Sequence, residues 1–255
     1  MTHAAEVLRC LEARERTGIP VALVAAHPDD ETIGAGASLA LFERLLLVHV
    51  TDGAPADLAD ARRAGFATRA AYAFRRREEL RAALAAGGVS AELLELGVGD
   101  QAASLDMAAL ARRLRGILAQ RGVRVVITHP YEGGHPDHDA TAFAVQAAGG
   151  AERIEMASYH AGPAGMATGA FLTGGDVVTV ELRPDERARK AAMLACFATQ
   201  SATLAPFGCE REVFRVAPSY DFGAPPHPGT LHYERYDWGM TGARWRALAA
   251  HICAG

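Results

Sequence analysis

The sequence predicts an α/β protein: a mostly parallel sheet with helices on both faces, followed by an irregular C-terminal region. Two observations carry this. Short apolar runs recur at "PVALVAA" (20–26), "LLLVHVTDG" (45–53), "AELLELGV" (91–98) and "RVVITHP" (124–130), each suited to a strand buried on both faces. Between them lie longer segments with helical spacing, at about 32–44, 68–87, 105–121 and 137–148. Strands alternating with helices imply right-handed βαβ crossovers and hence parallel pairing.

Past Gly149 the rhythm loosens. "RIEMASYHA" and "DVVTVEL" read as further strands, and 184–200 opens with a proline and two acids, as a helix does. Pro206 to Trp238, rich in prolines, glycines and aromatics, is expected to form an irregular cap over one sheet edge, with Gly149-Gly150 and 160–175 as loops. The 255 residues, half of them hydrophobic and 22% charged, suit one large core. The expectation is a single domain over 1–255 whose portion from about 150 to 255 completes the sheet and caps a cleft.

The composition excludes several classes of function. A formal charge of −4 gives no global attraction to nucleic acid or anionic membrane. No window approaches the roughly 18 uncharged apolar residues of a membrane span, and the N-terminal "MTHAAEVLRCLEARERTG" reads as a charged amphipathic helix without the apolar stretch of a secretory signal. A soluble, cytoplasmic protein is expected, and the sequence leaves open whether it forms a homo-oligomer. Cys10, Cys196, Cys209 and Cys253 are scattered, so neither a disulfide framework nor a thiolate zinc site is signalled.

Two strand-end loops concentrate the chemistry. "AAHPDDETIG" (25–34) leaves the first strand with His27, Asp29 and Asp30, and "PYEGGHPDHDAT" (130–141) leaves the fourth with His135 and His138. In open parallel sheets ligands sit outside the carboxyl ends of the strands. Residues three apart at a helix start share one face, so His135 and His138 point the same way. Either motif alone is compatible with helix capping. Together, His, Asp, Asp and His, His without cysteine suit a catalytic divalent cation with an open position, the spare aspartate serving as a base. "IGAGAS" (33–38) lacks the third glycine of a dinucleotide fingerprint and lies inside a helix; Gly34 and Gly36 are read as letting that helix approach the sheet.

These motifs, "AHPDDE" and "GHPDH" about a hundred residues apart, together with "TDG" and "RRREEL", resemble the paired signature of the PIG-L/LmbE-like zinc-dependent N-deacetylases over roughly 19–145. The resemblance implies a Rossmann-like domain that removes acetyl from an N-acetylglucosamine-type sugar or sugar conjugate, releasing acetate and a free amine. It implies His27, Asp30 and His138 as zinc ligands and Asp29 as general base. His135 would stabilise the tetrahedral intermediate or protonate the leaving amine. Arg76 and Asp100 resemble substrate-contacting positions, an arginine toward sugar or phosphate and an acid toward a hydroxyl. Some relatives carry a tyrosine two residues before the first histidine of the second motif; here that place is Gly133, and Tyr131 is the nearest candidate.

Alternatives stay open. His and Asp ligation also accommodates Fe2+, Co2+ or manganese. The substrate could be another sugar-linked amide, such as a thiol-sugar conjugate, and a non-catalytic metal- or sugar-binding module would keep the fold but have no evident need for Asp29. His129 is read as supporting its loop rather than binding metal, and His160 and His227 as ordinary loop histidines. Arg75 to Arg77 with Glu78 and Glu79 read as a solvated, ion-paired helix face apart from Arg76. The aromatic segment 218–250 is read as a tail packed on the core, with a carbohydrate-facing lid as the functional alternative.

Overall fold

The computed structural model describes the backbone of residues 1–253 and the side chains of residues 1–250, so the Cys253 thiol lies outside the described residues. In chain order the elements are α1 (His3–Ala13), β1 (Val21–Ala25), α2 (Asp30–Ala35), β2 (Leu45–Pro55), α3 (Ala59–Arg63), α4 (Arg69–Ala86), β3 (Glu92–Asp100), α5 (Met107–Gln120), β4 (Val125–Thr128) and α6 (Pro136–Ala148). The C-terminal half adds β5 (Glu152–Met156), β6 (Tyr159–Gly162), β7 (Gly165–Thr168), β8 (Val177–Glu181), α7 (Pro184–Ala195), α8 (Ser201–Leu204), β9 (Arg211–Val216) and α9 (Gly242–Cys253).

The main sheet has seven strands in the order β3-β2-β1-β4-β5-β9-β8. β1 to β5 pair in parallel, while β9 runs antiparallel between β5 and β8. Every residue of β1 is buried, and the period-2 alternation of a strand divides them between two cores. Val21, Leu23 and Ala25 face Val7 and Leu11 of α1, Leu80 and Leu84 of α4 and Met193 of α7. Ala22 and Val24 face Leu110 and Leu114 of α5, Phe143 of α6 and Trp245 of α9. The sheet is therefore covered on both faces, which is why its central strands read as unbroken apolar runs.

Local chemistry sets the helix starts. The hydroxyls of Thr2 and Thr68 accept from the N–H groups of Ala5 and Ala71, and the Asp106 carboxylate accepts from Ala109, as N-cap residues do. α7 begins with Pro184, and Glu186 accepts from the N–H of Arg183 at 2.8 Å.

Three expectations are corrected. The helix expected over 32–44 ends at Ala35, followed by turns and a short 3₁₀ segment at Leu39–Leu41. Glu212 draws the chain off the helical path, accepting from Ala37 N–H at 2.8 Å and from the Ser38 hydroxyl at 2.6 Å. The supposed cap at 206–238 contains β9, an interior strand; its signal is masked because Glu212 and Arg215 are buried as charges, paired with Lys190 and Glu155 at 2.9 and 2.7 Å. The loop assigned to 160–175 includes most of the β6–β7 hairpin, a separate two-stranded sheet, so "RIEMASYHA" splits into two strands at Ala157-Ser158.

The sheet order reverses at β1: the chain goes from β1 to β2 on one side and later places β4 on the other. The loops following β1 and β4 diverge there and open a crevice at the carboxyl edge.

Candidate active site

The loop following β1 is wound tightly. Asp29 has φ +132° and ψ −28°, a region that L residues avoid, at a cost of about 1–3 kcal/mol. Its N–H donates to Glu31 Oε2 at 3.0 Å. Arg76, buried on α4, donates to Pro28 O at 2.7 Å and to Asp29 Oδ2 at 2.9 Å, with its other terminal nitrogen on Gly53 O at 2.9 Å. Glu31 is itself fully buried and receives His49 Nε2–H from β2 at 2.9 Å and the Thr32 hydroxyl at 2.6 Å. A buried lattice of charge-assisted bonds thus holds one carboxylate in a strained pose.

The second loop turns through Gly133 (φ +69°) and Gly134, where a Cβ would collide with the carbonyl oxygen of Tyr159. It delivers the chain into α6, whose start is pinned by Trp245 Nε1–H on Pro136 O at 3.1 Å. The His135 ring accepts the Asp137 N–H at Nδ1, 3.1 Å. In the neutral ring the proton therefore sits on Nε2, which lies 3.9 Å from Asp100 Oδ1.

Together the loops form a nitrogen and oxygen donor set. His27 Nδ1 lies 3.2 Å from Asp30 Oδ2, and His138 Nε2 lies 3.2 Å from Asp30 Oδ1. Ligand atoms about 2.0–2.1 Å from a tetrahedral cation stand roughly 3.3 Å apart, so both spacings fit. His138 Nε2 is buried without a hydrogen-bond partner, as a nitrogen reserved for a cation would be. His27 Nε2 lies 3.1 Å from Asp100 Oδ1 and 3.4 Å from Asp137 Oδ2, carboxylates that orient the ring so that Nδ1 faces Asp30 and, once deprotonated, would meet a cation there. The residues present therefore fit a divalent cation at His27, Asp30 and His138.

The titration pattern follows from burial and charge. Burial pushes the Asp29 carboxyl up to about 8, against the pull of Arg76 and with Asp30 adding repulsion. For Asp30 burial is outweighed by His138 and His129, which hold it well below the usual carboxylate range. His27 loses from burial but gains more from Asp100, Asp137 and Asp30, and ends well above an ordinary imidazole. His135 falls to about 3 and His138 to about 4, both chiefly through burial.

The structure places the expected residues unequally. His27, Asp29, Asp30, Asp100 and His135 line one cleft of about 480 Å³, and His138 lies directly beneath. Arg76 also reaches it, but its guanidinium is bound to Asp29 and two backbone carbonyls, so it grips a carboxylate of the protein where a sugar or phosphate was expected. Asp100, expected on a substrate hydroxyl, lines the cleft with Oδ1 3.1 Å from His27 Nε2. Tyr131 stays out of the cleft: it is packed among Tyr220, Phe222 and Trp245, with its hydroxyl donating to Ala224 O at 3.0 Å. The turn at Gly133 sends it to the core face. His129 stacks on His138 at 3.9 Å and accepts the Ala26 N–H, in the supporting position expected of it.

Three features escaped the sequence reading, and a fourth, the aromatic tail, falls between its two readings. Glu31 ends the "HPDDE" motif and could have been suspected from that place alone. Asp137 is buried and accepts the N–H groups of Gln101 and Ala103, fixing the loop that carries Asp100. Tyr159 comes edge-on to His138 at 5.1 Å and lines the cleft; nothing in "SYHA" announces it. The aromatic tail divides: Tyr233 and Trp245 are core, whereas Tyr236 and Trp238 line the cleft, Trp238 lying 4.8 Å from the His135 ring.

A mostly parallel sheet covered on both faces, with imidazoles and carboxylates that could hold a cation gathered at its switch point, defines an α/β protein with a candidate metal site. The profile of the GlcNAc-PI de-N-acetylases (PIG-L) matches residues 22–149, half of the chain, and the chain belongs to that family. Among solved structures, the zinc-inhibited form of teicoplanin deacetylase Orf2 is similar with a TM-score of 0.57 at 19% identity, over 76% of this chain and 96% of that one. A40926 pseudoaglycone deacetylase Dbv21 gives 0.59 at 20%, over 80% and 100%. N,N'-diacetylchitobiose deacetylase from Pyrococcus horikoshii gives 0.56 at 18%, over 85% and 92%. The 4-carboxy-2-hydroxymuconate hydratase GalB from Pseudomonas putida gives 0.55 at 17%, over 80% and 98%. At these identities the likeness speaks for the fold. Among curated protein sequences nothing matches significantly, and no helix among the described residues is long and apolar enough to cross a membrane.

Proposed function

We propose that this protein is a single-domain, zinc-dependent hydrolase that removes the N-acetyl group from an N-acetylglucosamine-type sugar or conjugate. The observation that carries this reading is Asp29: a buried carboxylate outside the ligand set, held beside it in a strained backbone pose with one oxygen on Arg76 and the other left without a partner. Zinc at His27, Asp30 and His138 would supply Lewis-acid polarisation of the amide carbonyl and acidify a water there. Arg76 engages Oδ2 of Asp29, which leaves Oδ1 to take the proton of the attacking water. A carboxyl whose proton affinity is raised by burial suits that task.

The leaving nitrogen must then be protonated. His135, neutral with its proton on Nε2, is built to donate a hydrogen bond to the developing oxyanion; surrendering that proton would leave an imidazolate. On this reading Asp29 takes the proton from water and returns it to the amine. The test is acetate release from N-acetylglucosamine conjugates by zinc-loaded protein beside Asp29→Ala of verified metal content. Zinc-dependent release that collapses in the variant supports the reading, whereas release that persists in it removes Asp29 from the chemistry.

A further inference from the structure

The outer half of the cleft is chemically unlike its floor. Met166, Leu204, Pro206 and Phe207 form one wall, and Tyr236 and Trp238 stand in the mouth with their rings stacked at 4.6 Å and 11°. Tyr236 is 46% exposed, so this is a large aromatic surface left in water beside the proposed reaction centre. Isolated exposed apolar residues need no explanation, but a contiguous patch rimming a polar site does.

Charge separates the candidate occupants. Among the described residues the lining holds two arginines and no lysine. Arg76 is buried against Asp29 at 2.9 Å, and Arg63 at the rim is paired with Asp60 at 2.6 Å. A phosphate in the outer cleft would find no buried cation free to hold it, and would have to share the exposed Arg63 with the Asp60 carboxylate already paired to it. A second sugar would find polar groups in the lining at Gln101 and Thr203, but the Tyr236 hydroxyl of the aromatic pair is engaged by His232, and the Gln200 amide nitrogen already donates to the Tyr72 hydroxyl and Thr199 O.

We propose that the outer cleft is an aglycone subsite for an uncharged apolar group, alkyl or aryl, carried by the amino sugar, and that it disfavours a phosphate there. The proposal rests on the deacetylase reading for its substrate and concerns the group attached to the amino sugar, which need not be that of GlcNAc-PI, after which the family is called.

The experiment compares kcat/KM of the zinc-loaded protein on free N-acetylglucosamine, its 1-phosphate, N,N'-diacetylchitobiose, and the 4-nitrophenyl and octyl β-glycosides of N-acetylglucosamine. The aryl and octyl glycosides are expected to exceed the free sugar by about tenfold or more through KM, since burying two or three methylenes is worth that much. The 1-phosphate is expected to fall below the free sugar. Tyr236→Ala, at an exposed site, and Phe207→Ser should each remove most of the preference. Equal turnover of all five, or a lead for the phosphate or the chitobiose, overturns the proposal. Octyl β-D-glucoside, which carries no acetamide, is titrated in parallel against the fluorescence of Trp238. Should no N-acetyl sugar be hydrolysed, saturable binding of that glucoside that weakens in Tyr236→Ala would sustain the subsite while the deacetylase reading fell; no binding would overturn both.

Discussion

Asp29 concentrates the residue-scale argument. Its positive φ, its Arg76 partner and the Glu31 carboxylate under its N–H form one unit. Asp29→Asn is expected to lower kcat by about 10²–10⁴, the usual worth of a general base, with zinc content unchanged by elemental analysis. Glu31→Ala should act differently. It strands the Asp29 N–H and His49 Nε2–H in the interior at about 1–3 kcal/mol each, so both the denaturation midpoint and kcat should fall. Arg76→Met tests whether this arginine serves the protein or the substrate: kcat should drop by about a hundredfold, as misplaced reacting groups do, with KM for N-acetylglucosamine within about twofold. A loss confined to KM would return Arg76 to the substrate.

At the scale of elements, the two loops work because other elements press on them. Gly134 lies against the β6–β7 hairpin, so Gly134→Ala should push Tyr159 away from His138 and cost about 1–3 kcal/mol of stability, as overpacking does. A thermal melt and zinc titration would check it, and an unchanged melt would mean the hairpin floats free. This is also where the sequence was hardest to read. The apolar runs of β1, β2 and β4 and the paired loops at their ends were legible, because a strand covered on both faces is mostly apolar. β9 was hidden by its two buried charges. The placement of Tyr131 and the partner of Arg76 were hidden for another reason: each depends on contacts with segments dozens of residues away, and periodicity carries no record of them.

Over the whole molecule, the sheet is completed by a buried acid–base cluster that links β5 and β9 to the second site loop through Glu132. Glu132 and Glu155 flank Arg215 of β9, and burial pushes both carboxyls up to about 7, against the pull of Arg215. A carboxyl whose folded pKa lies above its unfolded value of about 4.3 binds more protons in the native state. Its contribution to stability is greatest below that value and declines as pH rises through 7. Urea midpoints from pH 4.5 to 8 should show this decline, and Glu155→Gln should flatten it; a steeper profile in the variant would refute the assignment.

The proposed ligands, His27 and Asp30 after β1 and His138 after β4, lie on loops that leave neighbouring strands but are separated by about a hundred residues of chain. A cation shared between them would behave as a removable crosslink over the β1–β4 seam, closing one of the longest loops in the chain, and loop closure grows costlier with length. Its binding would be coupled to folding in the same sense. Chelation should therefore do more than silence a reaction: it should lower the melting temperature and let the two halves of the sheet part sooner, which makes thermal stability a gauge of metal occupancy in the absence of any substrate.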